Sequence, residues 1–306
     1  MPGSIRGACA RAQANQALID RMRVLHQQTR AAYGARKMWQ LLTREGLVCG
    51  RHRVARLRRL AGIVALRRQR YIRTVQVRQH ETPPILNRLD QQFTVSAKNR
   101  VWAGDLTFVP TRTGWLTVAV LLDLYSRRVV GWAMSPRQTL SVVVEVWWMA
   151  WRRRHPAPGL IHHSDQGNQY RVTLYQTLLA RRGVVVSMSR KGNCYDNAPV
   201  ESFFSSLKNE LVHHRQFQNQ AEAQVAIVEY IERFYNRQRL HQALGYRSPE
   251  EFERQEPDSQ FTCLLFRGHL KLTPCFRTVN GEGLAYIIPS NPEKTSARVS
   301  HNNFNQ

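Results

Sequence analysis

The spacing of apolar and polar positions changes along this chain, and each change predicts a different kind of element. Across residues 16–60 the period is helical. Leu18, Met22 and Leu25 share one face, Tyr33-Gly34 interrupts the pattern, and Met38, Leu41 and Leu42 mark a second helix that Gly46 ends. A third helix spans about 51–61 on the narrow stripe Val54, Leu57 and Ala61. Residues 67–100 are polar and basic, hold Pro83-Pro84 and show no sustained period, which predicts a linker. From Val101 the alternation becomes that of strands: 102–109, 115–122 and 128–134, separated by turn material, form an antiparallel meander. Residues 141–154 are a helix so apolar (Val142, Val143, Val146, Trp147, Trp151) that most of its sides must be buried. A short strand at 160–163, a helix at 169–182 closed by Gly183, a strand at 184–187 and a helix at 200–211 with Val200, Phe204, Leu207 and Leu211 inward complete the series. Three strands followed by alternating helix and strand imply an α/β fold: a mixed five-stranded sheet with helices on its faces.

Charge adds a partner to this picture. The 306 residues carry 45 Lys+Arg against 21 Asp+Glu, a formal net charge of +24, and residues 1–100 hold 21 of the basic side chains but only 4 of the acids. A field of that sign and size calls for a polyanion, and without a lipid-facing amphipathic stripe that polyanion is nucleic acid. Arg51, Arg53, Arg56, Arg58 and Arg59 occupy the faces of the third helix outside its stripe. Two short helices joined by a tight segment at 46–50, with arginines on the second, resemble a helix-turn-helix; a solvated helix gripping phosphates without reading sequence is the plainer alternative. No apolar run approaches the ~18 residues of a membrane span, and the N-terminus lacks the hydrophobic segment of a secretory signal, so a cytoplasmic protein with no membrane partner is expected. Five cysteines without C-x-x-C pairing argue against a disulfide framework or a zinc ribbon.

In so basic a chain the acids stand out. Asp105 lies in the middle of the first strand (WAGDLTF), Asp165 just past the fourth (HHSDQGNQY), and Glu201 in the first turn of the last helix of the series (NAPVESFFSSLKNEL). In a mixed sheet of this order the first and fourth strands can be neighbours, and the last helix can lie across their ends. Three carboxylates gathered there would repel by about 3 kcal/mol per pair at ~5 Å and an effective dielectric near 20, so a hard divalent cation is the natural counterweight. Taken singly, each acid has a duller role: Asp105 a buried acid satisfied by backbone donors, Asp165 a helix cap, Glu201 a capping-box residue. Asp123, which opens the turn into the third strand, is read as a turn residue. His162 and His163 are adjacent on a strand and point oppositely, so at most one could face the site, and zinc is disfavoured.

These motifs, together with LLDLYSRRVVGW, resemble the catalytic core of the DDE transposases and retroviral integrases, and Asp165 and Glu201 have the 35 intervening residues typical of that superfamily. More narrowly, YGARKMWQLL and YNRQRLHQALGYRSPEEFE resemble the OrfB transposases of the third-numbered family of bacterial insertion sequences. The resemblance covers roughly residues 14–254. It implies a ribonuclease H-like core, with Asp105, Asp165 and Glu201 as catalytic metal ligands for two Mg²⁺ ions, or Mn²⁺ in their place. It also implies a metal-dependent cleavage and joining of double-stranded DNA at element ends and target, by a homo-oligomer in the bacterial nucleoid. An upstream-frame OrfA protein, as partner or by fusion, would supply end recognition. Lys208, two turns beyond Glu201 on the same helical face, is expected to hold the DNA end, with Arg190 and Lys191 as further DNA contacts. Asn193, Asp196 and Asn197, ahead of the glutamate, are expected to shape the loop and cap the helix.

The domains expected are 14–66, helix-turn-helix-like and DNA-binding; 67–100, basic linker; 101–212, catalytic core; 213–255, a helical extension of the core; and 256–306, a tail of unassigned role, partly disordered. Two other functions share parts of this pattern. A non-catalytic DNA-binding regulator would use only the basic helices, and a ribonuclease H-like nuclease or junction resolvase would keep the acids but need not join strands.

Overall fold

The computed structural model describes residues 9–66, 85–190, 194–255, 275–279 and 282–286. Three helices open the chain: α1 (Ala10–Gln28), α2 (Ala35–Arg44) and α3 (Arg51–Leu60). Leu18, Met22, Leu25, Met38, Leu42, Val54, Leu57 and Ile63 close a small core among them. α1 begins six residues before the apolar pattern starts, because Ala10–Asn15 are exposed or half-buried and leave no stripe to read. Gly46, at φ +79°, ends α2 in the left-handed conformation that glycine adopts without a steric penalty, and the Leu47 amide returns to the Leu42 carbonyl.

The sheet is built from β1 (Val101–Thr111), β2 (Gly114–Asp123), β3 (Val129–Ser135), β4 (Ile161–Ser164) and β5 (Val185–Met188). Their order is β3-β2-β1-β4-β5; β1 to β3 pair antiparallel, while β4 runs parallel to both β1 and β5. This is the mixed five-stranded sheet the hydrophobic pattern predicts. Alternation along β1 and β2 sorts the side chains onto two faces. Val101, Ala103, Val109, Val118, Val120 and Leu122 pack under α7 (Ala198–Glu210) and α8 (Gln220–Glu229). Trp102, Ala119 and Leu121 pack under α4 (Leu140–Arg154) and α6 (Thr173–Ala180). α4 crosses β3 so closely that a Cβ on Gly131 would stand 2.5 Å from the Val146 carbonyl oxygen.

One expected helix is two. The segment read as 169–182 divides into α5 (Asn168–Arg171) and α6, because Val172 is extended at ψ 126°. α8 continues as a π-helical segment, Tyr230–Tyr235, and Asn236 beyond it forms two 3.0 Å hydrogen bonds with the backbone of Val129, donating to its carbonyl and accepting from its amide. α9 (Pro249–Gln255) follows. Asp123 does turn duty, accepting from the Asn99 and Tyr125 amides, and it also pairs with Arg154 at 3.3 Å.

Tyr33, in the α1–α2 connection, is fully buried and belongs to the core under α7 and α8 rather than to the three-helix core. Its hydroxyl accepts the Leu240 amide at 2.7 Å and donates to the Gln238 carbonyl at 3.2 Å. Arg30 pairs with Glu229 and Arg44 with Glu251, so the helical N-terminal part is fastened to the sheet-bearing part by buried and ionic contacts together. Residues 260–306 form a separate unit, whose described strands β6 (Cys275–Val279) and β7 (Glu282–Tyr286) pair antiparallel. Most of the expected 67–100 and 256–306 segments lie outside the described residues. Among the described residues no helix is long and apolar enough to cross a membrane.

Candidate active site

Strand register brings the first two acids together. The parallel ladder between β1 and β4 ends with Gly104 opposite Ser164, so Asp105, next in β1, and Asp165, just past the end of β4, stand at the same end of that strand pair. Asp105 shares its β1 face with Ala103 and therefore turns toward α7. The start of α7 is tied to the same point, since the Asn197 side-chain amide donates to the Gly104 carbonyl at 3.2 Å and Glu201 follows in the helix's first turn. Asn197, expected as a cap, caps nothing with its side chain; it anchors the helix to β1 instead.

The residues before α7 are held by Asp196, which is fully buried. It accepts from the Asn87 and Gln91 side chains at 2.9 and 3.1 Å and from the Arg190 amide at 2.9 Å, with the Arg190 guanidinium 3.4 Å away. Burial alone would raise its pKa, yet the Arg190 amide and guanidinium and the Gln91 amide hold its carboxyl below the ordinary range. Arg190, expected on DNA, thus spends its guanidinium on Asp196 and Asp90.

Electrostatics show that the acids feel one another. Each of Asp105, Asp165 and Glu201 keeps part of its surface open to solvent. Burial of the carboxyl, then the charge of Asp165 and to a lesser extent that of Glu201, push Asp105 well above the usual carboxylate range; the Leu106 amide and Lys208 oppose this. Asp165 is raised by burial against the pull of the Gly167 amide. Lys208 is lowered by burial and partly restored by the charge of Asp105. Tyr170, wholly buried behind the pair, is raised by burial and then by the Asp105 and Asp165 charges. A Cβ on Gly104 would stand 3.0 Å from Leu121 Cδ2 and in ordinary contact, at 3.5 Å, with the Tyr170 hydroxyl and the His162 imidazole, so it is Leu121 that a side chain here would crowd.

The acids are gathered but not drawn onto one point. Asp105 Oδ1 accepts its neighbour Leu106's amide at 2.7 Å and Asp165 Oδ1 accepts the Gly167 amide at 3.0 Å. Among the described residues no three His, Cys, Asp or Glu side chains are close enough as they lie to hold a common metal ion. The donor set is nonetheless all carboxylate, desolvated and mutually repelling, which is the chemistry that a hard divalent cation relieves.

The histidines are structural. His162 meets the Tyr175 hydroxyl at 3.0 Å, and His163 lies between the Ser187 and Ser189 hydroxyls at 2.9 and 3.2 Å. Burial pushes them down to about 3 and about 4, so both are neutral at pH 7. On α3, Arg51, Arg56 and Arg59 are exposed and Arg53 is half-buried on Asn15. Arg58 departs from the expected solvent face: it is 5% exposed and donates to the Ile63 carbonyl at 3.2 Å, because the turn after α3 folds back over its stem. Lys191 and Asn193 lie outside the described residues. Asn87 and Gln91 escape sequence reasoning, because they fall in a stretch with no period. Tyr170 carried a usable signal, standing five residues after Asp165 in the HHSDQGNQY motif.

An integrase core domain model matches residues 95–194, a second integrase core domain model matches 182–249, and an HTH-like domain model matches 13–71. The chain is 43% identical over 242 residues to the insertion element IS600 uncharacterized 31 kDa protein of Shigella sonnei, covering 79% of this chain and 89% of that one. It is 40% identical to the transposase for insertion sequence element IS904 of Lactococcus lactis, over 78% of this chain and 93% of that one. The chain belongs to the IS3 family of insertion-sequence transposases. With the transposase InsF for insertion sequence IS3A of Escherichia coli, this transposase shares 43% identity over 72% of its own length and 76% of the relative's. A weaker likeness, at 14% identity and a TM-score of 0.39, extends to the integrase catalytic core domain of HTLV-2 in complex with magnesium, over 51% of this chain and 97% of that one. As a member of this family the transposase is a DNA-binding polynucleotidyl transferase, which disfavours the regulator and the simple nuclease.

Proposed function

We propose that the transposase cleaves and joins DNA strands at the ends of its element by DDE chemistry, with Asp105, Asp165 and Glu201 as the catalytic carboxylates. The observation that carries this reading is the ladder register that ends with Gly104 opposite Ser164 and so sets two aspartates at the same end of that strand pair. Small side-chain rotations would free Asp105 and Asp165 from their own backbone amides to hold Mg²⁺, with Mn²⁺ as a substitute and two ions as the expected complement. When bound, such ions supply positive charge to the phosphodiester oxygens and acidify the attacking hydroxyl.

The chain's own residues do the rest. Asn197 and Asp196 hold the start of α7 so that Glu201 faces the aspartates, and Tyr170 packs behind them and excludes water. Lys208 stands where its ammonium can grip a phosphate of the element end. A water attacks the phosphodiester in line and its P–O3′ bond breaks, leaving a 5′ phosphate and a free 3′ hydroxyl. That hydroxyl, giving up its proton, attacks a second phosphodiester, whose own P–O3′ bond breaks as its 3′ oxygen leaves and takes a proton, so no covalent protein intermediate is needed. The exposed arginines of α3, Arg51, Arg56 and Arg59, contact DNA phosphates outside the active site. Assembly as a homo-oligomer on paired ends, and an upstream-frame OrfA partner that finds those ends, belong to the same reading, as does work at the nucleoid.

Incubation of the full chain with element-end duplex and Mg²⁺ is the direct test. Joined products are expected, and Asp165→Asn should abolish them while sparing DNA binding. Undiminished joining by that variant would remove Asp165 from the chemistry, and cleavage without joining by the wild type would favour a nuclease.

A further inference from the structure

β1 and β2 run on past their neighbours, and the ribbon they form has one covered face and one bare face. β4 stops pairing with β1 at Gly104 and β3 stops pairing with β2 at Thr117, so residues 107–116 project beyond the end where Asp105 and Asp165 stand. On one face Val109 and Leu116 are fully buried together with Phe217. That side is also stitched down, since the Arg112 amide donates to the Phe217 carbonyl and the Gln220 side chain donates to the Trp115 carbonyl at 3.1 Å.

The other face carries Phe108, opposite Thr117, and Trp115, opposite Pro110. Phe108 is 44% and Trp115 61% exposed, and Pro110 between them is exposed as well. Among the described residues neither ring packs on another aromatic ring. This is the reverse of the face that carries Asp105 and Val109; a single exposed apolar side chain is ordinary, but two neighbouring aromatics on a bare ribbon face form a patch with a purpose. Charge says what covers it. Residues 106–117 and the adjoining segment 136–139 contain Arg112 and Arg137, both exposed, and no acid. A patch of flat rings flanked only by cations matches the two features of a nucleic-acid strand, base faces and phosphates. At about 3.3 Å per residue, Phe108 and the Trp115–Pro110 pair lie ~10 and ~17 Å along the strand from Asp105 but on the reverse face, so a strand that reaches both must pass round the edge of the hairpin.

We propose that Phe108 and Trp115 are a stacking platform for unpaired bases of a DNA strand that passes round the ribbon, away from the reacting phosphodiester, with Arg137 and Arg112, whose guanidinium also lies 3.5 Å from Gln216 Oε1, on its phosphates. The identity of the ligand as DNA rests on the transposase reading, whereas the preference for unpaired bases is a property of this ribbon alone.

The test is binding of the full chain, in EDTA so that no chemistry occurs, to a fluorescein-labelled duplex with a short single-stranded gap and to the same duplex intact. Trp115→Ala and Phe108→Ala should each weaken binding to the gapped duplex about tenfold and leave the intact duplex unchanged. Trp115→Phe, which keeps a ring, should restore most of the loss. Equal losses on both duplexes, or none on either, would overturn the platform. So would a shift in oligomeric state on gel filtration without a change in gap preference, since the face would then belong to a second copy of the chain. Failure of strand joining by the wild type would strike the transposase chemistry and leave this gap preference untouched.

Discussion

Replacing Asp105 by asparagine should make the metal-free protein more stable while ending its chemistry. Asparagine keeps the Oδ1 that accepts the Leu106 amide, so the change removes charge and little else. The ladder ends one residue before Asp105 and Asp165, where the paired backbones lie ~4.8 Å apart. At an effective dielectric near 20 two ionised carboxylates at that separation repel by about 3 kcal/mol. Glu201 adds to the repulsion, Lys208 offsets part of it, and proton uptake by Asp105 limits how much the fold must bear. A net gain of about 2 kcal/mol is expected, which for a unit of this size raises the melting temperature by about 4–8 °C.

The pH dependence follows from the direction of the shift. Asp105 is raised in the folded state, so at neutral pH the fold favours a proton that the unfolded chain has released, and wild-type stability falls as pH rises from the ordinary carboxylate range through the raised value. The gap between variant and wild type should therefore be absent at low pH and open toward neutrality. Thermal melts of both proteins in EDTA across pH 4–8 measure it, and adding Mg²⁺ should stabilise the wild type more than the variant. An Asp105→Asn variant less stable than the wild type at neutral pH, or a gap independent of pH, would refute the idea that these carboxylates strain the metal-free fold.

Three further outcomes can be checked. Gly131→Ala forces a Cβ to within 2.5 Å of the Val146 carbonyl oxygen and 2.9 Å of the Ala150 Cβ, so α4 must lift from β3; urea melts should show a loss of about 3 kcal/mol, and an unchanged midpoint would contradict so close a crossing. Arg56→Ala should weaken DNA binding and reduce the slope of log K against log salt by about 0.9, whereas Arg58→Ala, removing a buried side chain, should lower stability and leave that slope alone; equal slopes in the two variants would undo the distinction. Tyr33→Phe strands the buried Leu240 amide and should cost about 1–3 kcal/mol by thermal denaturation, and a neutral result would mean that the Tyr33 hydroxyl does not help fasten the N-terminal helices to the core.

Much of this molecule is legible in its residue pattern. Alternation along Val101–Thr111 and Gly114–Asp123 foretells the hairpin, and the apolar mass of Leu140–Arg154 foretells a helix packed on the sheet. Local spacing carries such elements because each must bury one side. The division of α5 from α6 was not legible, since no glycine or proline marks the break and Tyr170, Leu174 and Leu178 keep a four-residue spacing straight across the extended Val172. Nor was the burial of Arg58: an arginine next to Leu57 reads as solvent-facing until Ile63 folds back and offers a carbonyl.

For the site, the sequence by itself determined the chemistry on offer: oxygen-donor acids, with 35 residues between the last two, in a chain of +24 that must meet a polyanion. Those are properties of residue type and order, which do not wait on folding. Only the tertiary structure decided the company these residues keep. The β1–β4 register brings Asp105 and Asp165 to one end of the strand pair, Asn197 draws α7 to the same end, and Asn87 and Gln91 reach across roughly a hundred residues to lock Asp196. The bare aromatic face of the ribbon exists because β3 and β4 stop short of it. Interactions between side chains far apart in the chain depend on register and on where neighbouring strands end, and no local period encodes either.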